Sequence, residues 1–377
     1  MDSFKGCLSA ADACAAAARG VCSIPGNTAH CLPLADGGEG TAEAICAAMG
    51  GHIVSSEVIG PDGNTYDGYY GVIPDKGLAV IDTAAASGLA LAKRGKASLL
   101  DRSTAGTGLQ IAELLDLGYR SIIVGLGGSG TNDGGLGAIS ALGAKVYAND
   151  GTQIEHPCAR DLKRIAKIDV ADAVRRLDGC ELMLMYDVDI PLTGERGASL
   201  NYSRQKGAER DMSRALEAGM KNYADAARRS LGISVGEMKG AGAAGGLGFG
   251  LALIGGKLIA GAENILTITD FDERCCDADV VITGEGRTDF QTADGKLPVA
   301  CAAVAKKHGL PVVCVCGSAS PVDALYEAGI DAIFSVQTGP MSIADSIASA
   351  AQLIENTCKN LAGFADAFIN KHERNHQ

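Results

Sequence analysis

Residues 122–135, IIVGLGGSGTNDGG, decide the fold that this sequence predicts. Ile122, Ile123 and Val124 are β-branched and indicate the end of a buried strand. Six glycines fall within the next eleven residues, and residues 136–142 then have helical spacing. A strand, a glycine loop and a helix in this order can present bare backbone N–H groups to a phosphate. We therefore predict an α/β fold with a phosphate-binding loop here; the alternative is a tight turn that merely needs positive φ.

Three more segments place glycine beside a carboxylate after an apolar run: residues 36–40, 187–194 and 283–287, the last continuing to Lys296. Ligands of open α/β sheets bind at the carboxyl ends of the strands. Glycine, acid and a nearby cation together fit a magnesium-bound polyphosphate. None of the six histidines lies in these loops, so acid–base or zinc chemistry by histidine is not expected there.

Two carboxylates and two cations are the strongest candidates for chemistry. Asp187 and Asp189 stand at i and i+2 at the end of a predicted strand, where either could hold magnesium or accept a proton from a hydroxyl. A solvated turn before Pro191 is the alternative for this pair. Lys5 precedes a predicted helix, and Arg287 follows glycines that let an anion approach closely.

The order of predicted elements indicates two α/β domains. Strands and helices alternate at both ends of the chain, and residues 52–82 show the turn signals of antiparallel hairpins. We predict a Rossmann-like, three-layer domain with a parallel sheet, formed by residues 1–52 and 276–377. Residues 53–275 would form an inserted α/β domain with a mixed sheet that carries the glycine-rich loops. Finer predictions include strands at 30–34 and 182–188, a buried helix within 240–256, and one helix over 343–362.

Composition excludes several classes of function. The formal net charge of −12 and the lack of a basic stripe argue against nucleic-acid binding. Residues 240–256 are uncharged, but they are too few and too rich in glycine for a membrane span. The thirteen cysteines are scattered without a C-x-x-C pair, and the first residues do not form a signal peptide. We therefore expect a cytoplasmic protein with reduced thiols.

One motif supports a different enzyme. Residues 125–130 fit G-x-G-x-x-G after a strand, and Asp150 stands twenty residues beyond Gly130. This pattern is a dinucleotide fingerprint, and it would make the protein a nicotinamide-dependent dehydrogenase.

Eight segments together resemble the bacterial glycerate kinases, of the type that includes the enzymes of the glyoxylate and sugar-diacid pathways. They are DSFKGCLSA (2–10), LADGGEGTAEA (34–44), TAAASGL (83–89), GLGGSGTNDGG (125–135), YDVDIPLTG (186–194), QKGA (205–208), GAGAAGGLG (240–248) and TGEGRTDFQTADGK (283–296). The resemblance implies ATP-dependent phosphorylation of D-glycerate with magnesium, to 2-phosphoglycerate rather than 3-phosphoglycerate. It also implies a two-domain α/β fold with the site in the cleft between domains, and we add a homodimer as an expectation.

The resemblance also assigns residues to roles. Asp187 or Asp189 would act as base or magnesium ligand, and Lys5 and Arg287 would bind the glycerate carboxylate or the moving phosphoryl group. The remaining predicted substrate- and phosphate-binding residues are Ser3, Asp36, Gly37, Glu39, Gly127, Gly128, Ser129, Asn132, Asp133, Gly134, Glu285 and Lys296.

The sequence departs from the family pattern at a few positions. Family members usually begin with a short strand before DSFKG, whereas Met1 stands directly before Asp2 here. Either the start is truncated or the early strand is missing, and its loss would leave a non-catalytic relative as a third alternative. Ile190, Gly130, Phe290 and the pair Ser203-Arg204 replace the usual Asn, Ala, Ser and Gly-Pro, which bears on substrate fit more than on reaction class.

Overall fold

The computed structural model describes residues 1–293, 295–320 and 323–375. Its strands are β1 His52–Ile59, β2 Thr65–Ile73, β3 Leu78–Asp82, β4 Ser121–Gly125, β5 Lys145–Ala148, β6 Ile165–Asp169, β7 Glu181–Tyr186, β8 Lys257–Ala260, β9 Val281–Thr288, β10 Val312–Ala319 and β11 Ala332–Ser335. Its helices are α1 Ala10–Cys22, α2 Thr41–Met49, α3 Thr83–Ser87, α4 Leu89–Arg94, α5 Ala105–Asp116, α6 Leu136–Ala141, α7 Ala171–Arg176, α8 Ala198–Tyr202, α9 Arg210–Leu231, α10 Ala243–Leu253, α11 Gly261–Ile268, α12 Phe271–Cys275, α13 Phe290–Ala293, α14 Leu297–Lys307, α15 Asp323–Glu327, α16 Ile343–Ala348 and α17 Ala350–Asn375. Within this part of the chain, no helix has both the length and the apolar character that a membrane crossing needs.

The chain divides into two compact units. Unit 1 consists of Met1–Asp36, Glu43–Met49 and Ala262–Gln377, and unit 2 consists of Gly37–Ala42 and Gly50–Gly261. Both mix helices with strands, so the protein has the predicted α/β class.

Unit 2 is built on a mixed six-stranded sheet in the order β1-β2-β3-β4-β7-β8. β3, β4, β7 and β8 are parallel neighbours, whereas β1 and β2 extend the edge as an antiparallel hairpin. The central strands are buried on both faces, and Ile122, Ile123 and Val124 of β4 have no exposed surface. A continuous apolar run is typical of a parallel strand that is covered on both sides. The carboxyl ends of these strands therefore open onto one edge of the sheet.

Unit 1 contains a parallel sheet in the order β11-β10-β9. Helices α1 and α17 pack closely together, and Gly20 makes this contact possible. A Cβ at Gly20 would lie 2.2 Å from the carbonyl oxygen of Glu355, so any larger residue would push the two helices apart.

Most predicted elements occur in the structure. The hairpins of 52–82 are β1, β2 and β3, and the strand predicted over 182–188 is β7, a buried parallel strand. The buried helix within 240–256 is α10, although Ala244, Gly245 and Gly246 in its first turn have positive φ.

Three element predictions are wrong. Residues 30–34 form no strand. Pro33 has no N–H to donate, and the N–H of Leu34 donates to the carbonyl of Met1 without a continuing ladder of strand hydrogen bonds. Residues 283–287 are part of β9 rather than a loop, since they pair in register with β10. The single helix over 343–362 is interrupted at Ser349, which caps α16 before α17 begins.

Candidate active site

A pocket of about 300 Å³ lies in unit 2, beyond the carboxyl ends of β4 and β7. The loop after β4 contributes residues 126–129, and the segment after β7 contributes Asp187, Val188 and Ile190. Residues near the start of α4, the segment 202–206, residues 242–245 and Glu39 complete the lining. The pocket therefore brings together three of the predicted glycine-containing segments, those at 36–40, 125–135 and 187–194.

The glycine loop after β4 is held by backbone hydrogen bonds on both sides. Leu126 N donates to Met185 O at 2.9 Å, Gly130 N donates to Ser87 O at 2.8 Å, and Gly128 O accepts from Leu89 N at 2.9 Å. At Gly127 a Cβ would lie 2.5 Å from the Cα of Gly38, so this position admits only glycine without a backbone shift. The loop is thus fixed in place before any ligand arrives.

The dinucleotide fingerprint does not have the geometry that its function needs. In that motif the third glycine opens the helix, but α6 begins at Leu136, well past Gly130. Asp150 lies in an exposed turn, where its carboxylate accepts hydrogen bonds from Thr152, and the preceding strand β5 pairs with β6 in a separate two-stranded sheet. The structure therefore does not favour the dehydrogenase alternative.

Asp133, predicted to bind phosphate, is completely buried and serves the local structure. Its two oxygens accept from the N–H and hydroxyl of Thr104 at 2.8 Å each, and from the N–H groups of Gly135 and Gly137 at 3.1 Å. Burial raises the pKa of Asp133, while these four donors favour its charged form. With its acceptors so occupied, Asp133 holds α5 against the start of α6, and direct contact with a phosphate is disfavoured.

Asn132 and Gly134 are also buried beside the pocket rather than in its lining. The side-chain N–H₂ of Asn132 donates to Ser199 Oγ at 2.9 Å, and its Oδ1 has no hydrogen-bond partner among the described residues. Gly134 has φ of +68° and donates to Gly245 O at 3.0 Å, which ties the loop to the first turn of α10.

Lys206 supplies a positive charge to the pocket that sequence reasoning did not single out. It is 4% exposed, and its ammonium donates to Ser129 Oγ and Thr131 O, both at 2.8 Å. Burial lowers the pKa of Lys206 to about 7. Arg102 supports this arrangement, because its guanidinium donates to the carbonyls of both Gly130 and Lys206 at 3.0 Å.

The structure separates the two acids that follow β7. β7 ends at Tyr186, so residues 187–189 lie outside the strand and the predicted strand geometry for the pair is wrong. Asp187 lines the pocket, and its charge adds to burial in raising the pKa of Tyr202. Asp189 is exposed and forms an ion pair with Lys239 at 2.7 Å. Of the two, Asp187 is the one placed to meet a ligand.

Gly37 and Glu39 lie in the turn that precedes α2. A Cβ on Gly37 would lie 2.6 Å from the carbonyl oxygen of Met185, so Gly37 lets this turn pack directly on β7. The turn is anchored further by Asp82, which accepts from the N–H groups of Gly40 and Ala42. Glu39 is exposed and lines the pocket, which gives the pocket a second carboxylate.

Unit 1 gathers a second set of buried acids, two of which are predicted site residues. Asp2, Asp36 and Glu285 are all less than 8% exposed. Burial and then the charge of Asp36 raise the pKa of Asp2 to about 7. Burial also raises the pKa of Glu285, although Thr292 Oγ1 donates to its carboxylate at 2.6 Å. Asp2 belongs with Asp36 and Glu285, and sequence reasoning missed it.

The predicted cations of unit 1 lie near these acids or on the surface. The charge of Lys5 offsets part of the rise in the pKa of Asp2, and the charge of Lys296 offsets part of the rise in that of Glu285. Arg287 is 69% exposed and forms an ion pair with Asp289 at 3.3 Å. Ser3 donates its backbone N–H to Asp2 Oδ1. The roles predicted for Lys5, Arg287, Lys296 and Ser3 stay predictions.

The signals for the two missed residues were present in the sequence. Lys206 lies in QKGA and Asp2 in DSFKG, two of the segments that carry the family resemblance. Neither residue follows an apolar run, so a search limited to loops after predicted strands passes over both.

A glycine loop, a buried ammonium and a carboxylate in one pocket at the carboxyl ends of parallel strands are features of phosphotransferases. The comparisons with known proteins identify the family. Residues 1–366 match the model of the glycerate kinase family, and the chain belongs to that family. It is an ATP-dependent kinase.

Named relatives cover almost the whole chain. Glycerate kinase from Bacillus subtilis (strain 168) is 42% identical over 96% of this chain and 95% of its own length. Glycerate 2-kinase from Escherichia coli (strain K12) is 38% identical over the same shares. A crystal structure from Salmonella typhimurium LT2, described as a glycerate kinase 2, superposes with a TM-score of 0.86 at 38% identity, over 98% of this chain and 97% of that one.

Proposed function

We propose that this kinase phosphorylates D-glycerate at its 2-hydroxyl, with ATP and magnesium, in the cytoplasm. The observation that carries the proposal is the pocket of unit 2, where Lys206, Asp187 and the fixed glycine loop line one cavity. The names of the relatives support glycerate as the substrate, and the Escherichia coli relative is named for the 2-position.

The glycine loop and Lys206 would hold the transferred phosphoryl group. The pKa of Lys206 in the folded protein is about 7. The negative charge of ATP would raise this pKa and so keep the ammonium group protonated. Ser129 already accepts a hydrogen bond from Lys206, so its hydroxyl proton is available to a phosphate oxygen. A cation and donors fixed before the reaction stabilise the charge on the equatorial oxygens.

Asp187 would act as the general base. It takes the proton from the 2-hydroxyl as that oxygen forms its bond to the γ-phosphorus, and the bond between the γ-phosphorus and the bridging oxygen breaks to release ADP. Placement supports Asp187 over Asp189, since only Asp187 lines the pocket.

The donor set of the pocket fits magnesium, which prefers carboxylate oxygens and phosphates. Glu39 would hold the ion together with ATP, and the ion would neutralise charge on the β- and γ-phosphates. We expect Glu39→Gln to raise the magnesium concentration needed for half-maximal rate at least tenfold, with a smaller change in kcat at saturating magnesium. A rate that depends on magnesium as in the wild type would contradict this role for Glu39.

Coupled assays test the substrate and the position. ADP release is measured with magnesium, ATP and D-glycerate, with L-glycerate as the control substrate. The product is then treated with enolase alone, which dehydrates 2-phosphoglycerate but not 3-phosphoglycerate. Phosphoenolpyruvate formed by enolase alone supports the proposal, whereas a product that needs phosphoglycerate mutase first would place the phosphate at the 3-position.

A further inference from the structure

A cluster of three potential metal ligands lies in unit 1, apart from the acids described above. Asp272, Cys275 and His308 each offer one ligand atom, and these atoms lie within 4.8 Å of one another. Among the residues that the structure describes, this is the one group of three or more such side chains that close together. In tetrahedral zinc sites, with metal–ligand bonds of about 2.0–2.3 Å, ligand atoms lie roughly 3.3–3.8 Å apart. Small side-chain rotations would bring the three to that spacing.

Two helices build the cluster. Asp272 and Cys275 stand at i and i+3 on α12, which places both side chains on one face of the helix. His308 caps the carboxyl end of α14, which packs against α12. All three candidate ligands therefore lie in a helix or at its end, and none is on a long loop.

The present contacts of the cluster hold its side chains close together. The His308 ring nitrogen Nε2 is hydrogen-bonded to Asp272 Oδ1, so a bound metal would have to take the place of the proton between these two atoms. The Cys275 Sγ lies at 3.4 Å from the carbonyl oxygen of Asp272. Asp272 and His308 are 59% and 30% exposed at their side chains, whereas Cys275 is buried beneath them. Solvent can thus deliver a metal to a thiol that is otherwise covered.

The chemistry of the set selects the metal. Thiolate and imidazole ligands suit zinc and similar transition metals, whereas magnesium prefers oxygen. We propose that Asp272, Cys275 and His308 bind a zinc-type divalent transition metal, with a fourth position open to water. This site is separate in chemistry from the magnesium that the kinase reaction needs. On binding, the Cys275 thiol releases its proton to solvent and His308 binds through a neutral ring nitrogen.

Cobalt is the probe, because its spectrum reports its ligands. The purified full chain, in the absence of nucleotide, is titrated with Co²⁺, and we expect a thiolate-to-cobalt charge-transfer band in the near ultraviolet with one-to-one stoichiometry. Added Zn²⁺ should abolish the band by displacement. Cys275→Ser should remove the band, while Cys276→Ser, an exposed thiol on the next residue, should leave it unchanged.

Two further variants test the exposed ligands. Asp272→Asn and His308→Gln should each raise the Kd for Co²⁺ by more than about 100-fold, since losing an outer-shell partner already costs 10–100-fold. Because these side chains are exposed, both variants test the site even if Cys275→Ser fails to fold. The proposal is overturned by the absence of a thiolate band in the wild type, by loss of the band in Cys276→Ser with retention in Cys275→Ser, or by Kd changes below tenfold in both exposed variants. Glycerate-kinase activity is not part of the readout, so the result stands apart from the proposed function.

Discussion

Asp187 and Asp189 show how two similar side chains acquire different roles from their surroundings. Both are carboxylates after the same strand, but Asp187 faces the pocket and Asp189 forms a surface ion pair with Lys239. Both partners of this ion pair are exposed, and solvent screens their attraction, so the pair gives no reason for a catalytic role.

We expect Asp187→Asn to lower kcat for ADP release at least about 100-fold, the usual cost of losing a general base. The KM for ATP should change much less, because an amide occupies the same volume. Asp189→Asn is the matched control and should keep kcat within about threefold. Equal losses in the two variants would remove Asp187 from the role of base.

The lowered pKa of Lys206 predicts that the stability of the folded protein increases with pH above 7. The ordinary pKa of lysine is 10.5, and burial lowers that of Lys206 to about 7 in the folded protein. Between these values the unfolded chain binds more protons, so the contribution of Lys206 to the free energy of unfolding increases as pH rises from 7 to about 10. The charged form is the one that burial penalises at lower pH.

Urea unfolding at pH 7 and pH 9.5 measures this effect against Lys206→Met, which cannot titrate. We expect the wild type to gain stability relative to Lys206→Met as pH rises. Lys221→Met is the control, because Lys221 is 61% exposed and pairs with Glu217 on the surface. A stability difference between wild type and Lys206→Met that is the same at both pH values would contradict the lowered pKa.

At the scale of elements, the sequence allowed prediction of those with a strong periodic signal. β4 and β7 were predictable because their runs are apolar throughout, and the hairpins because Gly60–Gly63 and Pro74–Gly77 mark turns. Residues 283–287 were mistaken for a loop because glycine usually weakens a strand. Here Gly284 is tolerated because its missing Cβ allows the close approach of Val315 O on β10, which no local pattern reveals.

The candidate site was predictable only where its residues follow apolar runs in the sequence. The glycine loop and Asp187 do so, and both line the pocket. Lys206 lies in a short helical turn and reaches Ser129 from a distant part of the chain, so only tertiary structure brings it there. The function of Asp133 is likewise hidden in the sequence, because Thr104, its main partner, is remote along the chain.

The hydrogen bonds that Asp133 accepts should stabilise the junction between α5 and α6. Asp133→Asn places an amide N–H₂ where backbone donors now point, which leaves buried N–H groups without acceptors. We expect a loss of about 2–4 kcal/mol in the free energy of unfolding, since each unpaired buried donor costs about 1–3 kcal/mol. Asp150→Asn, whose carboxylate accepts hydrogen bonds in an exposed turn, should lower the free energy of unfolding much less than Asp133→Asn does. Similar losses in the two variants would show that burial does not set the importance of Asp133.

At the scale of the whole molecule, the two compact units differ in what they carry. The six-stranded sheet, the glycine loop, Lys206 and Asp187 all belong to unit 2. The three-stranded sheet, the buried acids and the proposed metal cluster belong to unit 1. The pocket that we propose for ATP should therefore depend on unit 2 for its structure.

The fragment of residues 37–261 tests this dependence, because it contains all of unit 2 together with α2. The residues of α2 from Glu43 onward belong to unit 1, and Ile45 is fully buried, so the fragment is made both as wild type and with Ile45→Glu to keep it in solution. We expect cooperative urea unfolding, because the core strands and their cover are complete, and a Kd for ATP within about tenfold of that of the full chain. Lys206→Met in the fragment should weaken ATP binding as strongly as in the full chain. A fragment that unfolds cooperatively but does not bind ATP would show that the pocket of unit 2 is not sufficient for the nucleotide, and one that does not fold in either form would show that unit 2 needs the rest of the chain.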